Sequence, residues 1–570
     1  MKRLLSVICA TVWATLLSAQ HIVTPLHPDD VINETQWKGQ WIGIDRLLPG
    51  EEMENKTRVN ARYLRKEFTL EQKTVRKARA FVASQGYYEL YVNGNRIGED
   101  VLTPLQTDFR KSIYYNVLDV TEALKADTAA CIGIILGNGR TVPMRYLKHY
   151  KCPFFGLPKC RVDVFVEYID GSKQRLYSSN QWKATASGPI RSNNEYDGEV
   201  YDARLDMPSW AKVGFDDSSW QWAERAELPM GTLYPQAAEG QTQTELGEEY
   251  APRRVKDNVF DCRQNIAGWV KVKVRGGKGD TIRIKYAERL NPDGTLYTAN
   301  LRDAETEDVY VCSGNEGEGR WWHPTFVYHG FRYVRITGID GITEADIKPC
   351  LVANNVERTG SFTSSNATLN AIVRNAWWGI IDNYKGFPVD CPQRNERQPW
   401  LGDRTAGSLG ESYLFDNNRL YTGWMRDICD AQRYDGALPD VAPAFWNYYT
   451  DNVTWPAALP FTCEMLYQQY GNDEAIRNSY PYIKKWIDHI CGTYSKDGII
   501  TKDKYGDWCM PPEKPELIHS QDPSRKTDGA LLSTAYMIHI MNLMRDFATM
   551  QSFQLPDTPS SRPLPASCMI

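Results

Sequence analysis

Trp269-Val-Lys-Val-Lys-Val-Arg275 and, beyond a Gly-rich turn, Thr281-Ile-Arg-Ile-Lys-Tyr286 alternate apolar with polar side chains. Successive side chains of a strand point to opposite faces, so this period of two predicts two strands. The same pattern extends toward the N-terminus. Arg161-Val-Asp-Val-Phe-Val-Glu-Tyr168 alternates and ends at the turn Asp170-Gly171. Ala80 to Val92 is rich in aromatic and aliphatic residues, and Asn93-Gly94 follows as a hairpin turn before Arg96-Ile97-Gly98. Short strands and turns at this spacing, from about Trp37 to residue 355, predict β-sandwiches. The charged run Glu245 to Lys256 is a boundary between two of them.

After residue 360 the period changes. Ser364 or Ser365 is placed to cap a helix whose Leu369, Ile372, Val373, Ala376, Trp377 and Ile380 share one face. Met425 to Arg433, Ala458 to Tyr470 and Asp473 to Tyr494 also read as helical, and Leu532, Tyr536, Ile540, Leu543 and Phe547 form a further apolar stripe. The fold class is therefore multidomain β + α, with the sandwiches first. Gln551 to Ile570 carries four prolines and no apolar period, and reads as a disordered tail.

A chain of 570 residues with 42% hydrophobic content has material for several cores. Its net charge of −5 argues against nucleic acid or an anionic membrane surface as partner. Lys2 and Arg3, the apolar stretch Leu4 to Leu17 and the small-residue region Ser18-Ala19-Gln20 read as an export signal, too short to span a bilayer. No later run is apolar enough for a membrane span. With the signal goes Cys9, and the other cysteines show no CxxC pair, so no zinc site is expected. Cys152 and Cys160 are candidates for a disulfide in an oxidising compartment, and the remaining thiols are expected to be buried. The 18 tryptophans suit sugar faces and sandwich cores alike. Asn33, Asn55, Asn366 and Asn452 lie in sequons that matter only in a glycosylating host.

Chemistry concentrates in Asp390-Cys-Pro-Gln-Arg-Asn-Glu-Arg-Gln-Pro-Trp-Leu-Gly-Asp403. Three carboxylates, two arginines and a tryptophan between turn formers do not suit a core without paired charges. They suit a polar pocket that grips a hydroxyl-rich ligand and keeps one carboxyl for proton transfer. Glu396 lies between Asp390 and Asp403, whose negative charge favours its protonated form, while Arg394 and Arg397 act in the opposite sense. On spacing alone, Glu396 is equally readable as the partner of an arginine, and the two aspartates as turn caps.

From about residue 37 to 550 the chain resembles the glycoside hydrolase family 78 α-L-rhamnosidases. Gly86-Tyr-Tyr-Glu-Leu-Tyr-Val-Asn-Gly94, Thr107-Asp108, Tyr201-Asp-Ala-Arg204 and Phe215-Asp-Asp-Ser-Ser-Trp220 are similar to the accessory β-domain of that family. Gln264-Asn265, Gly268-Trp269, Asn291-Pro-Asp-Gly294 and Tyr328-His-Gly-Phe-Arg-Tyr333 are similar to its next sandwich, and Asp390 to Asp403 to the hallmark of its (α/α)6 barrel. With the signal peptide read at 1–20 and the tail at 551–570, the resemblance implies sandwich domains at 21–245 and 246–358 and an incomplete (α/α)6 barrel at 359–550. It implies hydrolysis of terminal α-L-rhamnose with inversion, Glu396 being the general acid. Asp390 and Asp403 would clamp hydroxyls, with Arg394 orienting a carboxylate or bonding a hydroxyl. Trp400, Trp455, Trp508 and, more weakly, Asp507 would contact the sugar, whose methyl group needs an apolar wall. Gly436-Ala-Leu-Pro-Asp-Val-Ala-Pro443 would form a rim loop.

The implied substrate is a rhamnose-containing glycoside or polysaccharide; no metal or cofactor takes part, although a sandwich could hold structural calcium. A twelve-helix barrel does not fit between residues 364 and 550, where about six to eight helices fit. The water-activating base and a C-terminal β-domain of the family are then expected to be missing, as from truncation or a frameshift near Met550. A non-catalytic sugar-binding protein is the alternative reading.

Overall fold

The computed structural model describes residues 31–54, 56–125, 128–145, 153–508, 510, 514–517 and 522–550. The export signal, Asn55, Cys152 and the tail from residue 551 lie outside them. The chain divides into Met1–Trp37 and Lys38–Ile570. The described part of the first is one 3-10 turn, Glu34–Gln36, where the Asn33 N–H donates to the Gln36 side chain at 2.7 Å. Everything below concerns the second.

A seven-stranded and a six-stranded sheet enclose a core that includes Leu64, Val82, Leu90, Ile134, Val164 and Trp182. The aromatic run around Ala80–Val92 is two strands, Val75–Gln85 and Tyr87–Val92, one in each sheet. The second enters a hairpin at Asn93 (φ 51°) and Gly94 (φ 84°), the left-handed pair that a two-residue turn demands. Lys159–Tyr168 departs from simple in–out alternation. It is central in its sheet, and its polar residues Lys159, Arg161 and Asp163 are buried as well: Asp163 accepts the Gly39 N–H at 2.8 Å and pairs with Arg175 at 2.8 Å. Cys160 on this strand is a buried free thiol.

The stretch Trp269–Arg275 lies at the end of the long strand Val259–Val274, and Thr281–Tyr286 within Thr281–Ala287. Val270, Val272, Val274, Ile282, Ile284 and Tyr286 are fully buried, as period two requires. Both strands belong to one ten-stranded sheet that also recruits Gly198–Asp202, parallel to Glu307–Val311, and Gln241–Glu245, antiparallel to Ile347–Asn354. Strands from either side of residue 245 are thus woven into a single sheet.

Among the described residues seven α-helices follow: α1 Ala367–Ile381, α2 Leu401–Thr405, α3 Ser408–Ser412, α4 Asn418–Asp430, α5 Ala458–Tyr470, α6 Asp473–Tyr494 and α7 Gly529–Thr549. The cap of α1 is Asn366, not Ser364 or Ser365: its side chain accepts the N–H groups of Thr368 and Leu369 at 2.9 and 3.2 Å. Its expected apolar face is only partly used. Leu369 and Ile372 are 46% and 57% exposed, whereas Trp378 and Ile381 turn into the core. In α7 the expected stripe does face inward, and Ile540, Leu543 and Phe547 are buried.

Helices and the ten-stranded sheet share one apolar core, running from Val270 and Tyr286 to Trp378, Trp424 and Trp486. Each such large side chain contributes about 1.5–3 kcal/mol on burial. Across this junction the Asp382 carboxylate accepts the Ala267 N–H at 2.8 Å, and the Lys385 ammonium donates to the Val352 carbonyl. Among the described residues no helix is long and apolar enough to cross a membrane.

Candidate active site

Asp390 to Trp400 forms the loop between α1 and α2. Proline at 388, 392 and 399 excludes helix along it. Asp390 closes the loop on itself: its N–H donates to the Gln398 carbonyl at 2.9 Å, and its carboxylate accepts the Gln398 N–H at 2.7 Å. Arg397, at φ 52° and fully buried, donates to the carbonyls of Tyr328, Gln393 and Arg394 at 2.7–3.2 Å. That arginine is a backbone clamp and leaves the carboxylates alone.

Around the Glu396 carboxylate the contacts are dense. Arg394 donates to Oε2 through Nε at 2.8 Å and through its terminal nitrogen at 2.7 Å. Arg302 lies 3.1 Å from the same oxygen, and the Trp400 indole N–H donates to Oε1 at 3.2 Å. The second cation at Glu396 is therefore Arg302, from the β part of the chain, and not Arg397. Sequence reading missed it because no local pattern links a turn after residues 299–301 to a loop ninety positions away.

Asp390, Cys391 and Glu396 bring their ligating atoms within 4.8 Å of one another. Burial pushes the Asp390 carboxyl well up, and the nearby Glu396 adds to it. Burial likewise lifts the Cys391 thiol far above its ordinary range, with Asp390 reinforcing the shift. A neutral thiol and two guanidinium groups at the carboxylate suit a proton-transfer site better than a cation site.

Asp403 projects from α2. It is open to solvent, and among the described residues its oxygens take no hydrogen bond beyond its own backbone N–H. The protein packed around it strips hydration and raises its carboxyl, opposed by Arg404 and Arg394. An accessible carboxylate of this kind near Glu396 is positioned to accept hydroxyl hydrogen bonds.

Aromatic rings wall the site. Trp400 stacks on Tyr448 at 5.7 Å and meets Tyr505 edge-on at 6.3 Å. Trp455 lies 4.5 Å from Tyr505, and the close approach of Trp455 to α2 needs Gly402, where a Cβ would lie 2.1 Å from the indole. Trp508, 50% exposed, packs edge-on against Tyr505 at 5.3 Å at the margin of the cluster. Asp507 stands apart from the carboxylates: hydrogen bonds from the Thr527 side chain and from its N–H, the latter at 2.6 Å, hold its carboxyl below the usual range.

Gly436 to Pro443 is buried rather than a rim. Its Asp440 accepts from Asn452 at 2.7 Å and from the Tyr505 hydroxyl at 2.9 Å, so it backs the aromatic wall from behind. Tyr448, Tyr505 and Asp440 carried no site signal of their own. Tyr505 directly precedes the Gly506-Asp-Trp508 segment that did.

Comparison with known proteins places the chain in a family. Residues 73–245 match the alpha-L-rhamnosidase N-terminal domain, 253–353 the bacterial alpha-L-rhamnosidase concanavalin-like domain, and 357–555 the bacterial alpha-L-rhamnosidase six-hairpin glycosidase domain. An alpha-L-rhamnosidase of Streptomyces avermitilis is 34% identical over 502 residues, covering 86% of this chain and 46% of that protein. One of Formosa agariphila is 31% identical over 520 residues, covering 90% and 55%. The structure of an alpha-L-rhamnosidase from Dictyoglumus thermophilum superposes with a TM-score of 0.81 at 36% identity, over 91% of this chain and 57% of that one. The Streptomyces avermitilis alpha-L-rhamnosidase complexed with L-rhamnose gives 0.79 at 32%, over 87% and 47%. The chain spans about half the length of the curated relatives it matches. Three matched domains in consecutive order, each on the sheets or helices described above, lead to one conclusion: the chain belongs to the α-L-rhamnosidases of glycoside hydrolase family 78.

Proposed function

We propose that this chain binds the terminal α-L-rhamnose of a glycoside, oligosaccharide or polysaccharide and supplies the acid half of its hydrolysis with inversion. The supporting observation is the Glu396 carboxylate, held by Arg394, Arg302 and Trp400 beside the open Asp403. Glu396 delivers its proton to the glycosidic oxygen as the C–O bond breaks, and the aglycone leaves as an alcohol. Asp390, Asp403 and Arg394 hold the ring hydroxyls through charge-assisted bonds. Trp400, Trp455 and Trp508 offer flat apolar surface to the ring and its methyl group, and Asp507 serves at the margin. Inversion further requires a carboxylate about 6.5–9.5 Å from the acid to activate water. Proton transfer between carboxyls, water and sugar needs no cofactor. The N-terminal sequence supports export of the protein, to periplasm, cell surface or medium.

An aryl α-L-rhamnoside assay on the full chain, run beside rhamnose-binding calorimetry, tests this. We expect saturable rhamnose binding that Asp403→Asn removes. Any turnover falls by about 10²–10⁴-fold in Glu396→Gln, the usual contribution of a general acid. Undiminished turnover in Glu396→Gln would remove the acid assignment. Rhamnose binding with no release of the aryl group would favour a non-catalytic sugar-binding role.

A further inference from the structure

Away from the active site, the first sandwich and the ten-stranded sheet enclose a cleft of about 580 Å³. That lies within the roughly 300–1,000 Å³ of small-ligand sites. None of its lining residues belongs to the loop Asp390–Trp400 or to its aromatic wall. Trp210 on this lining is fixed edge-on against Tyr63 at 5.5 Å and Tyr91 at 5.4 Å, and stacks on Trp220 at 6.2 Å. Trp321 is 42% exposed, with the Lys348 ammonium 4.9 Å from its ring centre.

Polar groups are interleaved with these rings. Arg320 donates to Asp206 at 2.5 Å and to the Tyr201 hydroxyl at 3.3 Å, which leaves further N–H donors. Glu89 accepts from the Tyr91 hydroxyl at 2.7 Å and from Arg96 at 2.8 Å, and retains lone pairs. His323 Nδ1 lies 2.8 Å from the Pro324 carbonyl. Burial lowers its pKa, so the neutral ring carries its proton on Nδ1 and keeps Nε2 as an acceptor.

An apolar ligand would desolvate the Asp206–Arg320 pair without replacing its water, and since Glu89 and Asp206 are balanced by Lys212 and Arg320 on the same lining, no net charge selects an ion. Immobilised indoles beside mixed donors and acceptors fit a hydroxyl-rich ring with apolar C–H faces. We propose that this cleft, lined by Trp210, Trp321, Asp206 and Arg320, is a second binding site for a neutral glycan. It holds a polysaccharide to the protein apart from the acid site. The proposal does not depend on the chemistry assigned to Glu396, and either can fail alone.

Native gel electrophoresis through a cast neutral rhamnan tests it, with the acid site disabled by Asp403→Asn. The full chain carrying Asp403→Asn is expected to be retarded still. Adding Trp321→Ala or, as a second variant, Arg320→Gln weakens that retardation about three- to tenfold at unchanged far-ultraviolet circular dichroism. Loss of retardation in Asp403→Asn alone, or equal retardation once Trp321 or Arg320 is replaced in a folded chain, overturns the second site.

Discussion

The loop that carries Glu396 is held from two sides, and the two sides do different work. From the β side the contacts reach its backbone. Arg140 donates to the Arg397 carbonyl at 2.9 Å, the Tyr196 hydroxyl to the Glu396 carbonyl at 2.8 Å, and Arg397 itself to the Tyr328 carbonyl at 2.7 Å. The Asn395 side chain is tied to Asp303 as well. From the helical side come the groups proposed to contact the sugar: Trp400, Asp403 and Trp455. Shape is set by the sheets and chemistry is displayed by the helices. Among the described residues Arg302 crosses over, a β-side residue whose guanidinium reaches the Glu396 carboxylate. The accessory layers are therefore structural parts of the site, and separating them from the helices would dismantle it.

Breaking the β-side hold should have the largest effect. Arg397→Ala leaves buried carbonyls of Tyr328, Gln393 and Arg394 without donors and opens a cavity between the rings of Tyr328 and Tyr196, which the guanidinium now covers at 4.9 and 5.8 Å. A loss of about 3–5 kcal/mol is expected, together with all rhamnose binding, read by denaturant melts and calorimetry. On the helical side, Gly402→Ala drives a methyl group into Trp455. It should cost about 1–3 kcal/mol and weaken rhamnose binding while leaving the β core intact. If Gly402→Ala proved the more damaging to stability, the division of labour between the sides would be reversed.

Much of this was legible locally. Period two at Trp269–Arg275 and Thr281–Tyr286 and the Asn93-Gly94 turn rest on neighbouring residues, and so do the helices Ala458–Tyr470 and Asp473–Tyr494. Pattern reading therefore places them correctly. The composition of Asp390–Asp403 announced a polar site in the same way. What failed was nonlocal. The face of α1 at Leu369 and Ile372 looked like core because periodicity reports amphipathicity, not what covers it. Arg397 looked like a charge for Glu396, yet its donors are taken by carbonyls, one of them sixty-nine residues away in sequence. Arg302 and Asp440 act through contacts that only the folded chain creates. The resemblance implied a rim loop at Gly436–Pro443, whereas here the segment is buried behind the aromatic wall, a placement set by packing that its own residues do not announce.

The smallest expected effect concerns Asp390, which belongs to both sides, closing the loop through Gln398 and facing Glu396. Its carboxyl is raised, so the folded protein holds that proton more tightly than the unfolded chain does. For a raised group the stability it contributes is complete below the unfolded value, about 3.9 for aspartate. It is lost as pH rises through the folded value of about 7. Asparagine keeps an oxygen for the Gln398 N–H and never ionises. Asp390→Asn should therefore melt with the parent chain near pH 4 and above it at pH 8, while rhamnose binding falls at both. A melting temperature lower than the parent's at pH 8 would mean that Asp390 is held ionised by Arg394, at 3.5 Å, and that its position serves the loop more than the sugar.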